Sequence, residues 1–145
     1  MNILISACLL GLNCRYDAGN CYQPGLEKLK KRYHFIPICP EVYGGLPTPR
    51  EPAEIIGNKV VTKSGCNVTA QYEKGAQEAV ALARIMGCRI AVLKAKSPAC
   101  GKGKIYDGSF DGRLVDGNGI LVRLLTDAGV IVLSENEIER LNERM

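Results

Sequence analysis

The chain alternates short apolar runs with longer amphipathic segments, which is the pattern of strands and helices taking turns along a sequence. Apolar runs predict four buried strands, at residues 2–6, 34–38, 89–93 and 130–133. Helical spacing, with Thr69 and Ser134 as expected N-caps, predicts helices at residues 26–32, 69–86, 119–128 and 135–143. We therefore expect an α/β fold over residues 1–145, a single-domain, Rossmann-like three-layer sandwich with a mostly parallel sheet.

Irregular segments interrupt this alternation. Residues 8–24 form a long loop rich in Gly, Asn, Asp and Cys, and residues 42–54 contain prolines that prevent regular ladder hydrogen bonding. Residues 95–104 form a second exposed loop, while residues 59–62 and 66–68 flank a glycine-containing turn and predict a small β-hairpin. Long loops without secondary structure of their own are usually functional, so we expect the first two segments to surround a site.

Three cysteines follow predicted strands: Cys8, Cys39 and Cys100. The carboxyl ends of parallel strands meet at one edge of a sheet, where ligands bind in open α/β folds. Thiolates brought together there indicate a metal or cluster site, because the thiolate is the form that ligates. The alternative is that each cysteine packs as a small buried hydrophobe at a strand end.

The other cysteines have weaker placements. Cys14 shares the first loop with Cys8, so we interpret it as a thiol lining the same site that can serve as a reserve ligand. Cys88 precedes a strand and should lie buried at the opposite edge of the sheet. Cys21 and Cys66 do not follow a predicted strand that would bring them to the site, so structural roles are favoured for both.

Composition and charge narrow the class of protein. The seven cysteines are an odd number in a chain without an export signal, which favours reduced thiols and a cytoplasmic location over a disulfide framework. No apolar run approaches the roughly 20 residues that span a bilayer, so no membrane association is expected. The net charge is +4, and the densest basic run, residues 28–32, falls on a predicted helix, so no nucleic-acid partner is expected.

The spacing of the thiols favours one kind of metal centre. Structural zinc sites prefer four ligands with close Cys-x-x-Cys pairs, and the sequence has no such pair. Iron–sulfur clusters tolerate scattered thiolates, and three of them on a four-iron cluster leave one iron open as a Lewis acid.

Further candidate residues lie near the strand-end cysteines. Glu41 follows Cys39 and is a candidate general acid or base, while Ser97 precedes Cys100 and is a candidate hydrogen-bond donor. Solvent exposure of Glu41 and a capping role for Ser97 are the simpler alternatives. Residues 101–104 could hold an anion or form a lid, and His34, the single histidine, lies away from the proposed site.

At these residues the chain resembles the thiouracil desulfidase family. The resemblance rests on Ser6 to Gly11, Cys14 to Asp17, Cys39 to Val42, Gly44 to Arg50, Gly65 to Thr69, Lys94, Ser97 to Gly101 and Ile105 to Gly108. It implies a 4Fe-4S cluster with one open iron, held by Cys8, Cys39 and Cys100, and catalytic roles for Glu41 and Ser97. With one iron unprotected, such a cluster can be lost from oxygen-exposed preparations.

The resemblance also implies a reaction. A small thiolated nucleobase similar to 2-thiouracil would lose its sulfur without net redox change and yield uracil and sulfide. Two other hypotheses remain open at the level of the residues. One is a non-enzymatic phosphate- or nucleotide-binding module at the Gly/Lys loop, and the other is a thiol-redox or persulfide enzyme that uses Cys8 or Cys14 as nucleophile.

Overall fold

The protein is described by a computed structural model over residues 1–142. Its strands are β1 (Asn2–Ser6), β2 (His34–Ile38), β3 (Ala53–Ile56), β4 (Lys59–Thr62), β5 (Ile90–Leu93), β6 (Lys104–Tyr106), β7 (Leu114–Asp116) and β8 (Ile131–Ser134). Its α-helices are α1 (Pro40–Tyr43), α2 (Thr69–Ile85) and α3 (Ile120–Asp127). Shorter 3₁₀ helices cover Ala7–Leu10, Pro24–Lys31 and Glu135–Leu141.

A four-stranded parallel sheet in the order β2-β1-β5-β8 forms the centre of the fold. Side chains alternate across it, so that Leu4, Ala91 and Leu93 belong to the core beneath α2 and α3. Ile3, Ile5 and Val92 face the other side and pack against the 3₁₀ helices. The α/β prediction with a mostly parallel sheet is therefore confirmed.

The chain reverses its direction of travel across the sheet at the central pair of strands. From β1 it crosses to β2 on one side, and it later returns to β5 on the other side of β1. Crevices open at such switch points, outside the carboxyl ends of the strands. The segments that follow β1, β2 and β5 therefore meet around one opening.

Two predicted helices have 3₁₀ rather than α geometry, at Pro24–Lys31 and Glu135–Leu141. Each buries two side chains three residues apart, Leu26 with Leu29 and Ile138 with Leu141. A helix with three residues per turn aligns such pairs on one face, which an α-helix does less well. The predicted end of the last helix, residue 143, lies outside the described residues.

The predicted hairpin exists, but one of its strands was assigned wrongly. β4 pairs with β3, through a turn in which Gly57 has a φ of +64°, rather than with residues 66–68. Residues 66–68 contribute only a single bridge to β4. β6 and β7 form a further antiparallel pair that the sequence pattern did not predict.

Of the two predicted N-caps, one is correct. The Ser134 side chain accepts from the backbone N–H of Asn136, and Glu137 completes a capping box. Thr69 is not a cap, because its hydroxyl accepts from the Val60 N–H and donates to Asn67, and Val68 takes the N-cap position instead. Within residues 1–142, no helix combines the length and apolar character required to cross a bilayer.

Candidate active site

The three strand-end cysteines line one cavity of about 520 Å³ at the switch point of the sheet. Cys8 lies in the 3₁₀ helix that directly follows β1, and Gly11, with a φ of +101°, ends that helix. Cys39 follows β2 and is the N-cap residue of α1, where Pro40 takes the first helical position. Cys100 lies in the turn after β5, so three adjacent strands deliver thiols to the same opening.

Cys14 folds back over this cavity from the first loop. Its thiol lies beside the thiols of Cys39 and Cys8, which shift its pKa, and its carbonyl oxygen accepts from Cys39 Sγ at 3.6 Å. Its carbonyl oxygen accepts from Arg50 Nη2 at 3.0 Å, and the Arg50 N–H donates to the carbonyl of Tyr16 at 2.8 Å. The loop is therefore held against the thiol cluster by a side chain from a distant segment.

Neighbouring thiols and burial shift the pKa values of the cysteines in the cavity. The hydrogen bond with Cys14, followed by burial, raises the pKa of Cys39 well above its usual range, and burial raises the pKa of Cys100. The bond with Cys39 lowers the pKa of Cys14, but the bond with Cys8 and burial raise it to about 11 overall. In the absence of a metal these side chains are neutral thiols at pH 7, and ligation would release their protons.

Glu41 is buried rather than exposed, with 8% of its surface accessible to solvent. Its Oε2 accepts from the Cys39 thiol at 3.3 Å and lies 3.8 Å from Arg50 Nη2. Arg50 is itself fixed by the carbonyl of Pro47 and the hydroxyl of Thr48, both at 3.2 Å. A buried carboxylate with a charged partner, placed beside thiols in a cavity, is suited to proton transfer.

Ser97 and Ser6 surround the Cys100 thiol. Ser97 Oγ accepts from the Cys100 N–H at 2.7 Å, so this side chain does act as a cap of the turn. Hydrogen bonds from both hydroxyls lower the pKa of the Cys100 thiol against the larger effect of burial. Ser6 Oγ also accepts from the Lys94 N–H at 2.9 Å, which joins the ends of β1 and β5.

Several lining residues were not identified from the sequence as functional candidates. Lys94 Nζ lies 3.4 Å from Glu135 Oε2, and Arg50 is paired with Glu41. Glu54 and Phe110 also line the cavity. The only sequence signal for Arg50 and Lys94 was their place in the motifs of the family resemblance. Glu54 carried no signal, because the strand that contains it was expected to be irregular.

The remaining candidates lie elsewhere. Cys88 is buried in the core before β5, while Cys66 and His34 are exposed. Lys102 is paired with Glu137 and Lys104 with Asp116, and residues 101–104 do not line the cavity. The two lysines that were considered for anion binding therefore already have carboxylate partners.

Comparison with known proteins decides the family. A family model described as 2-thiouracil desulfurase matches residues 3–137. The chain belongs to this family. Uncharacterized protein YbbK of Bacillus subtilis (strain 168) is 42% identical to it over 146 residues, which cover 94% of this chain and 97% of that protein. The 2-thiouracil desulfurase family is a family of enzymes, and the resemblance inferred from the sequence is confirmed.

A solved structure of a 2-thiouracil desulfurase relative shows the same fold. The 4Fe-4S-dependent thiouracil desulfidase TudS is 44% identical, and the match covers 99% of this chain and 96% of that one with a TM-score of 0.91. The name of that protein states both a cluster and a thiolated pyrimidine as its substrate.

The donor set in this member of the 2-thiouracil desulfurase family fits an iron–sulfur cluster. Thiolates are the ligands that such clusters use, and Cys8, Cys39 and Cys100 line one cavity without a disulfide among them. Within residues 1–142, no three His, Cys, Asp or Glu side chains are grouped closely enough to hold a single ion. Thiols that line a shared cavity without meeting at one point leave room for a group larger than a single ion.

Proposed function

We propose that this protein removes the sulfur of a thiolated pyrimidine such as 2-thiouracil, using a 4Fe-4S cluster held by Cys8, Cys39 and Cys100. The observation that carries the proposal is the delivery of three thiols, from the ends of three adjacent strands, to a cavity that also holds a buried carboxylate. The family match and the TudS structure support the same chemistry.

The overall reaction balances without an electron donor or acceptor. The thiocarbonyl group and one water become a carbonyl group and hydrogen sulfide. When bound, a cluster with one iron free of protein ligands supplies a Lewis acid for the thiocarbonyl sulfur. The residues of the chain must then bind the ring, position a water and move protons.

Glu41 is assigned the proton transfers. Its carboxylate accepts a proton from the attacking water and later returns one to the departing sulfur. The Arg50 guanidinium, whose Nη2 lies 3.8 Å from Oε2, fixes the orientation of this carboxylate. A water that attacks the ring carbon from this side can therefore meet the carboxylate without a rotamer change.

Ser97 is assigned the polarisation of the substrate. Ser97 Oγ lines the cavity and accepts from the Cys100 N–H, so its one hydroxyl proton can rotate between the Cys100 thiol and the cavity. A hydroxyl donor at that position can stabilise negative charge that develops on the ring as water adds. The same hydroxyl holds the turn that carries Cys100, so Ser97 has both a structural and a chemical role.

The thiol-redox hypothesis receives less support than the cluster. A nucleophilic cysteine needs a lowered pKa. The bond with Cys39 lowers the pKa of Cys14, but the bond with Cys8 and burial outweigh it and raise the pKa to about 11. The phosphate-binding hypothesis also receives less support, because Lys102 and Lys104 are already paired with Glu137 and Asp116. Desulfuration alone uses the thiols, the carboxylate and the cavity together.

The decisive experiment measures iron, acid-labile sulfide and product in protein purified without oxygen. We expect about four irons per chain, together with release of sulfide and uracil from 2-thiouracil. Cys8→Ser, Cys39→Ser and Cys100→Ser should each lose iron and activity. Cys66→Ser, at an exposed thiol outside the cavity, is the matched control and should retain both.

Two outcomes would overturn the proposal. One is protein that stays free of iron after anaerobic reconstitution with iron and sulfide. The other is loaded protein that releases no sulfide from thiolated pyrimidines.

A further inference from the structure

Phe110 lines the same cavity as the thiols but belongs to neither hydrophobic core. Its side chain is half-buried, and within the described residues the close aromatic pair is formed by other rings, Tyr33 and Phe35. A large apolar ring that borders a cavity without joining the core leaves hydrophobic surface available to a ligand.

The backbone conformation at Phe110 is unfavourable. Its φ is +60°, in the left-handed region that bulky residues rarely adopt. Residues held in such conformations persist when the surrounding structure fixes them, and they are concentrated at functional sites. Phe110 thus shows both an available ring and a conformation that must be stabilised from outside.

Glu54 provides that stabilisation from β3. Its buried carboxylate accepts from the Gly108 N–H at 2.9 Å and from the Phe110 N–H at 3.1 Å, both through Oε1. Charge-assisted bonds to backbone N–H groups are stronger than neutral ones. A side chain on Gly108 would meet Ile56 at 2.6 Å, so the segment is also packed tightly against the hairpin.

We propose that Phe110 forms the stacking wall of the substrate site, against which the pyrimidine ring lies while its sulfur faces the thiol side of the cavity. Glu54 acts as the positioning residue that presents this ring. The inference rests on the proposed function for the identity of the ligand, and it adds the residue that recognises the planar ring.

Stacking is the interaction that this geometry favours. Pyrimidine faces stack on aromatic side chains regardless of their exocyclic substituents, and removal of the aromatic ring weakens binding by about 5- to 150-fold per base. Such a wall would bind substrate and product alike, because the exchange of sulfur for oxygen leaves the ring face intact. The effect of Phe110 should therefore appear in binding and KM more than in kcat.

The test uses loaded protein without oxygen and uracil, the product, as the binding probe in calorimetry. Phe110→Leu removes the aromatic face but keeps an apolar side chain, and it should raise the Kd for uracil and the KM for 2-thiouracil about tenfold. Phe110→Tyr retains the face and should stay within about twofold of the parent. Tyr22→Leu changes an exposed aromatic residue outside the cavity and is the matched control.

A second variant gives a readout that does not depend on turnover. The chain contains no tryptophan, so Phe110→Trp places a single indole at the wall. Titration with uracil should change the fluorescence emission of this indole. The Kd from that titration should equal the Kd from calorimetry. Glu54→Gln, which weakens the two charge-assisted bonds, should shift the uracil Kd in the same direction as Phe110→Leu but by less.

An unchanged Kd for uracil in Phe110→Leu, or an emission of Phe110→Trp that does not respond to uracil, would overturn the inference. If the parent binds uracil through Phe110 yet releases no sulfide from 2-thiouracil, the proposed function fails and the stacking wall stands. If the parent releases sulfide and Phe110→Leu behaves like it, only the stacking wall is wrong.

Discussion

Glu41 is the residue on which the proposed proton transfers depend. Glu41→Gln keeps the volume of the side chain but removes the base. We expect kcat for sulfide release to fall by a factor of about 10² to 10⁴, the usual contribution of general acid–base catalysis. Iron content should stay unchanged, because a carboxamide at this position leaves all three cysteines in place.

The control for this substitution is Glu78→Gln, which makes the same chemical change at an exposed position of α2. It should leave kcat and iron content unaltered. A Glu41→Gln variant that keeps its iron and turns over at the parent rate would remove Glu41 from the mechanism.

At the scale of residues, the sequence predicted the thiols better than their partners. Cys8, Cys39 and Cys100 were placed by strands whose ends can be identified from hydrophobic runs. Arg50 was missed because its side chain meets Cys14 and Glu41 only after two loops fold over each other. Contacts between loops depend on turn geometry, which the periodicity of apolar residues in the sequence does not indicate.

Among the elements, the contact between α1 and α2 sets the position of Glu41. A Cβ on Gly75 would lie 1.8 Å from the Pro40 carbonyl oxygen, and one on Gly44 would lie 1.9 Å from the Gln71 carbonyl oxygen. Gly75→Ala should therefore destabilise the protein by about 3 kcal/mol through overpacking. Helix propensity alone would stabilise it by about 1 kcal/mol, so the measured sign distinguishes the two effects.

Urea unfolding measures this change, with Gln77→Ala at an exposed site of the same helix as the control. That variant should stay within about 0.5 kcal/mol of the parent. The displaced α1 should also lower the activity of Gly75→Ala under folding conditions. A Gly75→Ala variant more stable than the parent would contradict the close approach of the two helices.

The C-terminal 3₁₀ helix carries a pH-dependent ion pair. Burial alone would raise the pKa of Glu137, but Lys102, the Ser134 N–H and Arg140 lower it to about 2. A lowered pKa means that the stabilisation is complete above the unfolded value near 4.5 and is lost as the pH falls toward 2. Glu137→Gln should cost about 1 kcal/mol at pH 7, since Gln retains the capping box but not the charge.

Denaturant unfolding at several pH values checks this prediction. The difference between the parent and Glu137→Gln should be constant above about pH 5.5 and shrink as the pH falls below about 4.5. Glu139→Gln, at an exposed position of the same helix, should show no such trend. A difference that stayed constant from pH 7 to pH 3 would contradict the ion pair.

The helices and strands were predicted where an apolar pattern repeats over several residues. They were missed where the geometry of a turn, or a few side-chain contacts, decides the type of helix or the pairing of strands. The parallel strands and α2 follow from apolar patterns. The change from α to 3₁₀ geometry in two segments depends on which side chains meet the sheet, and the pairing of β3 with β4 depends on the turn at Gly57. Neither choice is visible before the chain is folded.

Across the whole molecule, the thiol cavity links segments that are far apart in the sequence. Cys8 and Cys100 follow the two central strands of the sheet, and Cys39 follows the neighbouring edge strand. A cluster that binds all three would cross-link these strands in the folded state only. Any ligand that binds the folded state and not the unfolded one raises the unfolding temperature.

The stabilisation by the cluster should increase with pH, because the cysteine thiols lose protons when they ligate. The hydrogen bond with Cys14 and burial raise the pKa of Cys39, and burial raises the pKa of Cys100, so these thiols are protonated in cluster-free protein near neutral pH. Loading must release their protons, and each released proton strengthens binding about tenfold per pH unit. The gain in Tm on loading should therefore increase from pH 6.5 to about pH 8.5.

Thermal unfolding of matched loaded and cluster-free samples, followed without oxygen, measures that gain at each pH. Cys66→Ser should reproduce the parent profile, since its thiol is exposed and away from the cavity. Cys39→Ser should show neither the gain nor its pH dependence, because it removes one strand from the cross-link. A gain in Tm that is independent of pH would mean that the ligands are already thiolates before loading, contrary to the burial and hydrogen bonding of Cys39 and Cys100.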